Sequence, residues 1–256
     1  MAEDRRANSY GTSAVSPRLP DRRRVRRAIP RPLRHLLYDQ SLSRRRRWRR
    51  IPGIERVAGD AAVLTFDDGP DERGTPEVLE ALEALGVQAT FFVLGSHVRE
   101  HPALAREIRD RGHDLALHGM THRRHDGLSP AEAGSELRAG LEAIEAVLGE
   151  RPRWYRPPFG RSSPALAAAC DELGLELVYW TSWGFDWEPI PAEAIAQTVR
   201  RDLAAGTIVL LHDSARYAER DEAAATAAAL PAIVAAARDA GLDLLPLRTA
   251  LGATTS

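Results

Sequence analysis

From about Ala61 onward, short apolar runs alternate with longer runs of helical periodicity. Ala62–Phe66 predicts a strand, and Pro76–Leu85 a helix that Gly86 stops. The pair recurs as strand Ala89–Leu94 with helix His101–Arg111 before Gly112. It recurs again as strand Asp114–Leu117 with helix Pro130–Leu148, which Ser129 is placed to cap and Gly149 to end. Trp154–Arg156 then precedes a helix over Ser163–Leu173, Leu177–Thr181 precedes Ala192–Ala204, and Ile208–Leu211 precedes Glu222–Ala240. Gly174, Gly206 and Gly241 stop these three helices, and Leu242–Leu245 is a last strand. The result is an α/β chain of about seven βα units whose strands are nearly all apolar, as buried parallel strands are. A doubly wound sheet and a (β/α) barrel both fit. Polar residues at the C-terminal ends of many strands favour the barrel, because barrel active sites sit there.

The first 53 residues lack this pattern. They hold 16 Arg against 4 acidic residues, whereas residues 54–256 hold 19 Arg against 32, so the net charge of -1 conceals a basic tail on an acidic body. Arg22–Arg24, Arg26–Arg27 and Arg44–Arg47 are like-charge blocks that repel one another. Residues 1–53 therefore read as an Arg-rich, mostly disordered extension, with a short helix around Pro32–Tyr38, and residues 54–256 as the barrel. The tail reads first as a plain solvated or mis-annotated extension, and alternatively as a contact patch for anionic membrane lipid, cell-wall polymer or nucleic acid. The acidic barrel has no aromatic-basic interleaving, which argues against nucleic acid there. No apolar stretch follows the N-terminal charges and no run of 18 apolar residues occurs. The expectation is a chain without signal peptide or transmembrane helix, cytoplasmic or peripheral to the inner membrane face. The single cysteine, Cys170, excludes an intramolecular disulfide and reads as a small core residue.

Three strand ends and one loop carry candidate chemistry. Thr65-Phe66-Asp67-Asp68-Gly69-Pro70 places two carboxylates where a strand breaks, so one can bind a metal while the other stays free as a base. His118 and His122, four apart after a strand, supply two nitrogen ligands. With one aspartate they leave open positions for water and substrate on a zinc ion. Arg156-Pro157-Pro158-Phe159-Gly160 is a stiff loop able to aim an amide N–H at an oxyanion and hold Arg156 against a carboxylate. His212 ends an apolar run beside Asp213 and is a candidate general acid. His35, His97, His101 and His113 read as structural.

In order and spacing, these motifs over residues 61–246 resemble the NodB-type polysaccharide deacetylases. These are metal-dependent carbohydrate esterases that remove N- or O-acetyl groups from chitin, peptidoglycan and related sugars. The resemblance implies a distorted (β/α) barrel. It implies that Asp67 is the general base, that Asp68, His118 and His122 bind one divalent metal, usually zinc (with Co, Ni or Mn as alternatives), and that Arg156 orients Asp67. The Phe159 amide would help stabilise the oxyanion, Leu210 would line the acetyl pocket, and His212 would protonate the leaving amine. Two positions depart from the family pattern. Gly119 stands where Ser or Thr usually follows the first histidine. Trp183, in Trp183-Gly184-Phe185-Asp186-Trp187, stands where an aspartate usually pairs with the catalytic histidine. That pairing then falls to Asp186 or to Asp213, or the acid is tuned differently. Trp183 also adds to the aromatic groove of Trp180 and Trp187. The implied substrate is an acetylated amino-sugar glycan. A cytosolic amidohydrolase acting on a small or lipid-linked amide, and an inactive glycan-binding barrel, are the other readings.

Overall fold

The computed structural model describes residues 51–252; the expected Arg-rich extension lies outside them as far as Arg50. Strand β1 (Ala61–Asp67) is buried at every position, as a central strand covered on both faces must be. It is flanked by β2 (Thr90–Leu94), then β3 (Asp114–Gly119), β4 (Trp154–Tyr155) and β5 (Glu176–Leu177) on one side. On the other side lie β7 (Ile208–His212) and β6 (Ser182–Trp183), and β8 (Asp243–Leu244) pairs with the start of β1. Every pairing is parallel. The α/β barrel expectation holds as a curled half-barrel. Register sets Asp67 beside His212, at the C-terminal rim where both strands end.

The helices are α1 (Thr75–Leu85), α2 (Gly95–Glu100), α3 (Pro102–Asp110), α4 (Pro130–Leu148), α5 (Pro164–Leu173), α6 (Ala192–Asp202), α7 (Ala224–Asp239) and α8 (Leu247–Ala250). Ser129 caps α4 in a reciprocal capping box with Glu132. Their buried faces and the strands form a main core in which the Phe66 and Phe91 rings stack at 5.1 Å, and Ala62, Ala237 and Leu242 form a smaller second cluster. Cys170 lies in that core, and burial pushes its thiol up to about 12, so it stays protonated and inert.

Two local expectations change. The apolar run 177–181 is not one strand. β5 pairs with β4 at one edge, and β6 pairs with β7 at the other. The chain between them crosses the opening of the half-barrel, and apolarity alone does not distinguish a buried crossing from a strand. Helix α2, six residues long, is too short to declare a period. The segment before β1 spans the same opening. Ile54 bridges Val178 and Arg56 bridges Thr207. Ile51–Gly53, read from the sequence as the end of the extension, lie against this body. Ile51 packs on the core, and a Cβ on Gly53 would meet the Tyr179 ring at 2.3 Å. Among the described residues, no helix is long and apolar enough to cross a membrane.

Candidate active site

Adjacent strand residues point to opposite faces, so Asp67 and Asp68 share a site only if the backbone turns between them. It does: β1 ends at Asp67, and Asp68 adopts φ 81°. The turn is held from outside by Leu94 N–H donating to the Gly69 carbonyl at 3.0 Å. His97 Nδ1–H donates to the Asp68 carbonyl at 2.9 Å. The two carboxylates then meet different partners.

Asp67 Oδ1 accepts from Arg156 Nη1 at 2.7 Å, and its Oδ2 lies 3.9 Å from His118 Nδ1. Arg156 is fully buried and also donates to Thr65 Oγ1 at 2.7 Å and the Tyr179 carbonyl at 3.1 Å. Its guanidinium lies over the Phe92 ring at 4.0 Å. Burial lowers the Arg156 pKa, and Asp67 opposes that fall.

Asp68 Oδ1 is 3.3 Å from His118 Nε2 and 3.2 Å from His122 Nε2. Burial works to raise the Asp68 carboxyl, but the imidazoles of His118, His122 and His212 outweigh it and hold it well below the usual carboxylate range. Burial lowers His122 to about 4, so it stands neutral with a lone pair to offer. Asp68, His118 and His122 each present one ligand atom, all within 4.8 Å of one another. Asp68 Oδ1 is buried without a hydrogen bond, the state expected of a ligand oxygen. One carboxylate and two imidazoles at this spacing fit a divalent metal ion.

His212 faces the cluster from β7. Its Nδ1 is 2.8 Å from Asp186 Oδ1, and its backbone N–H donates to Asp186 Oδ2 at 2.8 Å. Thr226 Oγ1 donates to the same Oδ2 at 2.7 Å, and Arg220 Nη2 lies 3.6 Å from it. Burial works against the imidazolium, but Asp186 overcomes it, with help from Asp68 and Asp67, and His212 rises to about 9. Burial likewise raises Asp186, but His212 and Arg220 outweigh it and leave its carboxyl lowered. Asp213 points elsewhere, accepting from Thr75 Oγ1 at 2.6 Å, and burial pushes it up to about 7. Of the two acids the sequence left open, Asp186 is the one facing His212. Trp183 is buried among Trp180, Phe185 and Trp187, and Trp187 stands edge-on to His212 at 5.6 Å. Leu210 lies in β7 two residues before His212 and is buried. Phe159 sits at φ 61° in a short turn (Pro158–Gly160), its ring 4.6 Å from that of His122.

Several site residues escaped the sequence reading. Glu136 of α4 accepts from Thr121 N–H at 2.7 Å and Thr121 Oγ1 at 2.9 Å, bracing the loop that carries His122. His125, buried behind that loop, pairs with the Tyr155 hydroxyl at 2.6 Å. Gly119, at φ 114°, makes room for it: a Cβ there would lie 2.5 Å from His125 Cε1. His97, read as structural, borders the site through the Asp68 carbonyl. Only its nearness in sequence to His118 and His122 hinted at His125, and no pattern marked Glu136.

A family model described as polysaccharide deacetylase matches residues 55–178. A chitooligosaccharide deacetylase of Bradyrhizobium is 35% identical over 201 residues, 75% of this chain and 91% of that protein. A peptidoglycan-N-acetylglucosamine deacetylase of Bacillus cereus is 33% identical over 64% of this chain and 75% of its own length. Among solved structures, a family 4 acetyl xylan esterase from Clostridium thermocellum with a cobalt ion superposes with a TM-score of 0.68. It is 29% identical, covering 75% of this chain and 90% of its own.

Proposed function

We propose that this chain, which belongs to the polysaccharide deacetylase family, hydrolyses N-acetyl groups from an amino-sugar glycan of the chitooligosaccharide or peptidoglycan class. The observation that carries this reading is the division of labour between two adjacent carboxylates. Asp67 is hydrogen-bonded to Arg156, whereas Asp68 Oδ1 faces two imidazole nitrogens at 3.3 and 3.2 Å, with a third imidazole, His212, on the neighbouring strand.

In this reading Asp68, His118 and His122 hold the metal, and their donor set suits zinc. Bound by these three residues, such an ion would supply Lewis-acid polarisation of the acetyl carbonyl and would acidify water. Asp67 takes the proton of the attacking water. Arg156 pins one of its oxygens and leaves Oδ2 on the side of the histidines. As the water oxygen bonds the carbonyl carbon, the Phe159 amide is offered to the developing oxyanion and Leu210 to the methyl group. The C–N bond then breaks, with the proton going from His212 to the departing nitrogen. An amine is a poor leaving group until protonated, so the acid must carry its proton at neutral pH. A His212 raised to about 9 by Asp186 does so. Acetate and a free amino sugar result.

Metal content and acetate release from N-acetylglucosamine oligomers, for wild type and Asp67→Asn, test this reading. The expected outcome is about one zinc per chain in both and acetate from wild type alone. A zinc-loaded wild type that releases no acetate from any oligomer overturns the glycan substrate. A chain that takes up no metal overturns the mechanism.

A further inference from the structure

Among the described residues, two large apolar side chains stand well exposed, Phe159 at 42% and Tyr217 at 45%. Both border the same ligand. The Tyr217 ring stacks on His122 at 4.1 Å and 20°, and Phe159 lies 4.6 Å from it. They arrive from different loops, Phe159 between β4 and α5 and Tyr217 between β7 and α7. Apolar surface that water would otherwise penalise is therefore concentrated at the metal cluster.

The Tyr217 loop is held in place on every side. Ser214 Oγ donates to Asp71 Oδ2 at 2.8 Å and accepts from Arg216 N–H at 3.1 Å. The Arg216 guanidinium forks onto Glu100 at 2.7 and 3.0 Å, and Glu219 N–H donates to the Trp187 carbonyl at 2.7 Å. The Tyr217 ring itself is fixed by its hydroxyl, 3.1 Å from His97 Nε2. A carbonyl can only accept, so His97 spends its Nδ1–H on Asp68 and its Nε2 receives the tyrosine proton. An exposed ring immobilised in this way has lost little freedom still to be lost on binding a partner.

We propose that Tyr217 determines glycan specificity by taking the C–H face of a pyranose ring next to the acetyl group under attack. The proposal rests on the glycan reading above. An aromatic face suits a sugar because the axial C–H bonds form an apolar patch that stacks on it, leaving the hydroxyls at the rim to water.

Calorimetric titration of an N-acetylglucosamine tetramer into the zinc-loaded full chain tests it, in an Asp67→Asn background that arrests turnover. Steady-state kinetics of the otherwise wild-type chain accompany it. Tyr217→Ala is expected to weaken tetramer binding and raise KM about tenfold, the size of one lost aromatic stacking contact. Its kcat stays within about twofold and its zinc content is unchanged. Tyr217→Phe keeps the ring and stays within about threefold of wild type. The proposal is overturned if Tyr217→Ala binds the tetramer as tightly as the parent, or if it loses zinc, which would make the ring a support for His122. A wild type that binds the tetramer through Tyr217 yet releases no acetate refutes the deacetylase reading and leaves the platform standing. A parent chain that binds no tetramer refutes the platform, and acetate release then decides the deacetylase reading separately.

Discussion

Asp186→Asn removes the carboxylate that meets His212 twice, at Nδ1 and at the backbone N–H, both at 2.8 Å. Burial disfavours the imidazolium, yet Asp186 and the more distant Asp68 and Asp67 lift it from 6.5 to about 9. That difference corresponds to about 3 kcal/mol in favour of the charged ring. Asn keeps the shape and loses the charge, so the basic limb of the kcat/KM profile for acetate release should fall from near 9 toward 6.5. At about pH 8 the protonated fraction then drops from about nine-tenths to a few per cent, a loss of about 30-fold in rate. Stability supplies a second readout. A histidine raised in the folded state stabilises fully below its unfolded value and loses that contribution as pH rises through the folded one. The melting deficit of Asp186→Asn should therefore be largest below 6.5 and shrink as pH passes about 9. Asp213→Asn is the control, since its carboxylate faces Thr75 instead. A basic limb that stays near 9 in Asp186→Asn, or that moves equally in Asp213→Asn, would refute the pairing.

Arg156→Lys leaves one ammonium to replace a fork that spans Asp67, Thr65 and the Tyr179 carbonyl. Acetate release should fall about 10- to 100-fold with zinc content unchanged, as metal analysis of the purified variant would report. Glu136→Gln weakens the brace on Thr121 and should lower zinc affinity about tenfold or more in chelator competition, with little change in secondary structure. Gly119→Ser installs the hydroxyl residue usual in the family, yet here it forces a side chain onto φ 114° and against His125. It should cost about 1–3 kcal/mol and lower the melting temperature.

The repeating strand–helix order, the Ser129 cap and the glycine stops at Gly86, Gly149 and Gly174 were legible in the sequence because each depends on neighbours within a few residues. The polar residues at strand ends were legible too, since a charge closing an apolar run has few structural uses. Those features were enough to bring Asp67, Asp68, His118, His122, Arg156 and His212 under suspicion as one set. What they could not decide was direction. Asp186 and Asp213 are equally acidic on paper. Which of them meets His212 depends on where the 184–188 turn lies across from β7, and that follows from the split between β5 and β6, where the sequence pattern suggests one strand. Glu136 and Tyr217 reach the site from 15 and 95 residues away from Thr121 and His122, through a helix face and a loop with no motif of their own. Local sequence determines which residue ends each strand, because capping, turn and burial preferences act along the chain. Only the closed tertiary arrangement decides which side chains then face one another, because hydrogen bonds and ring contacts act through space.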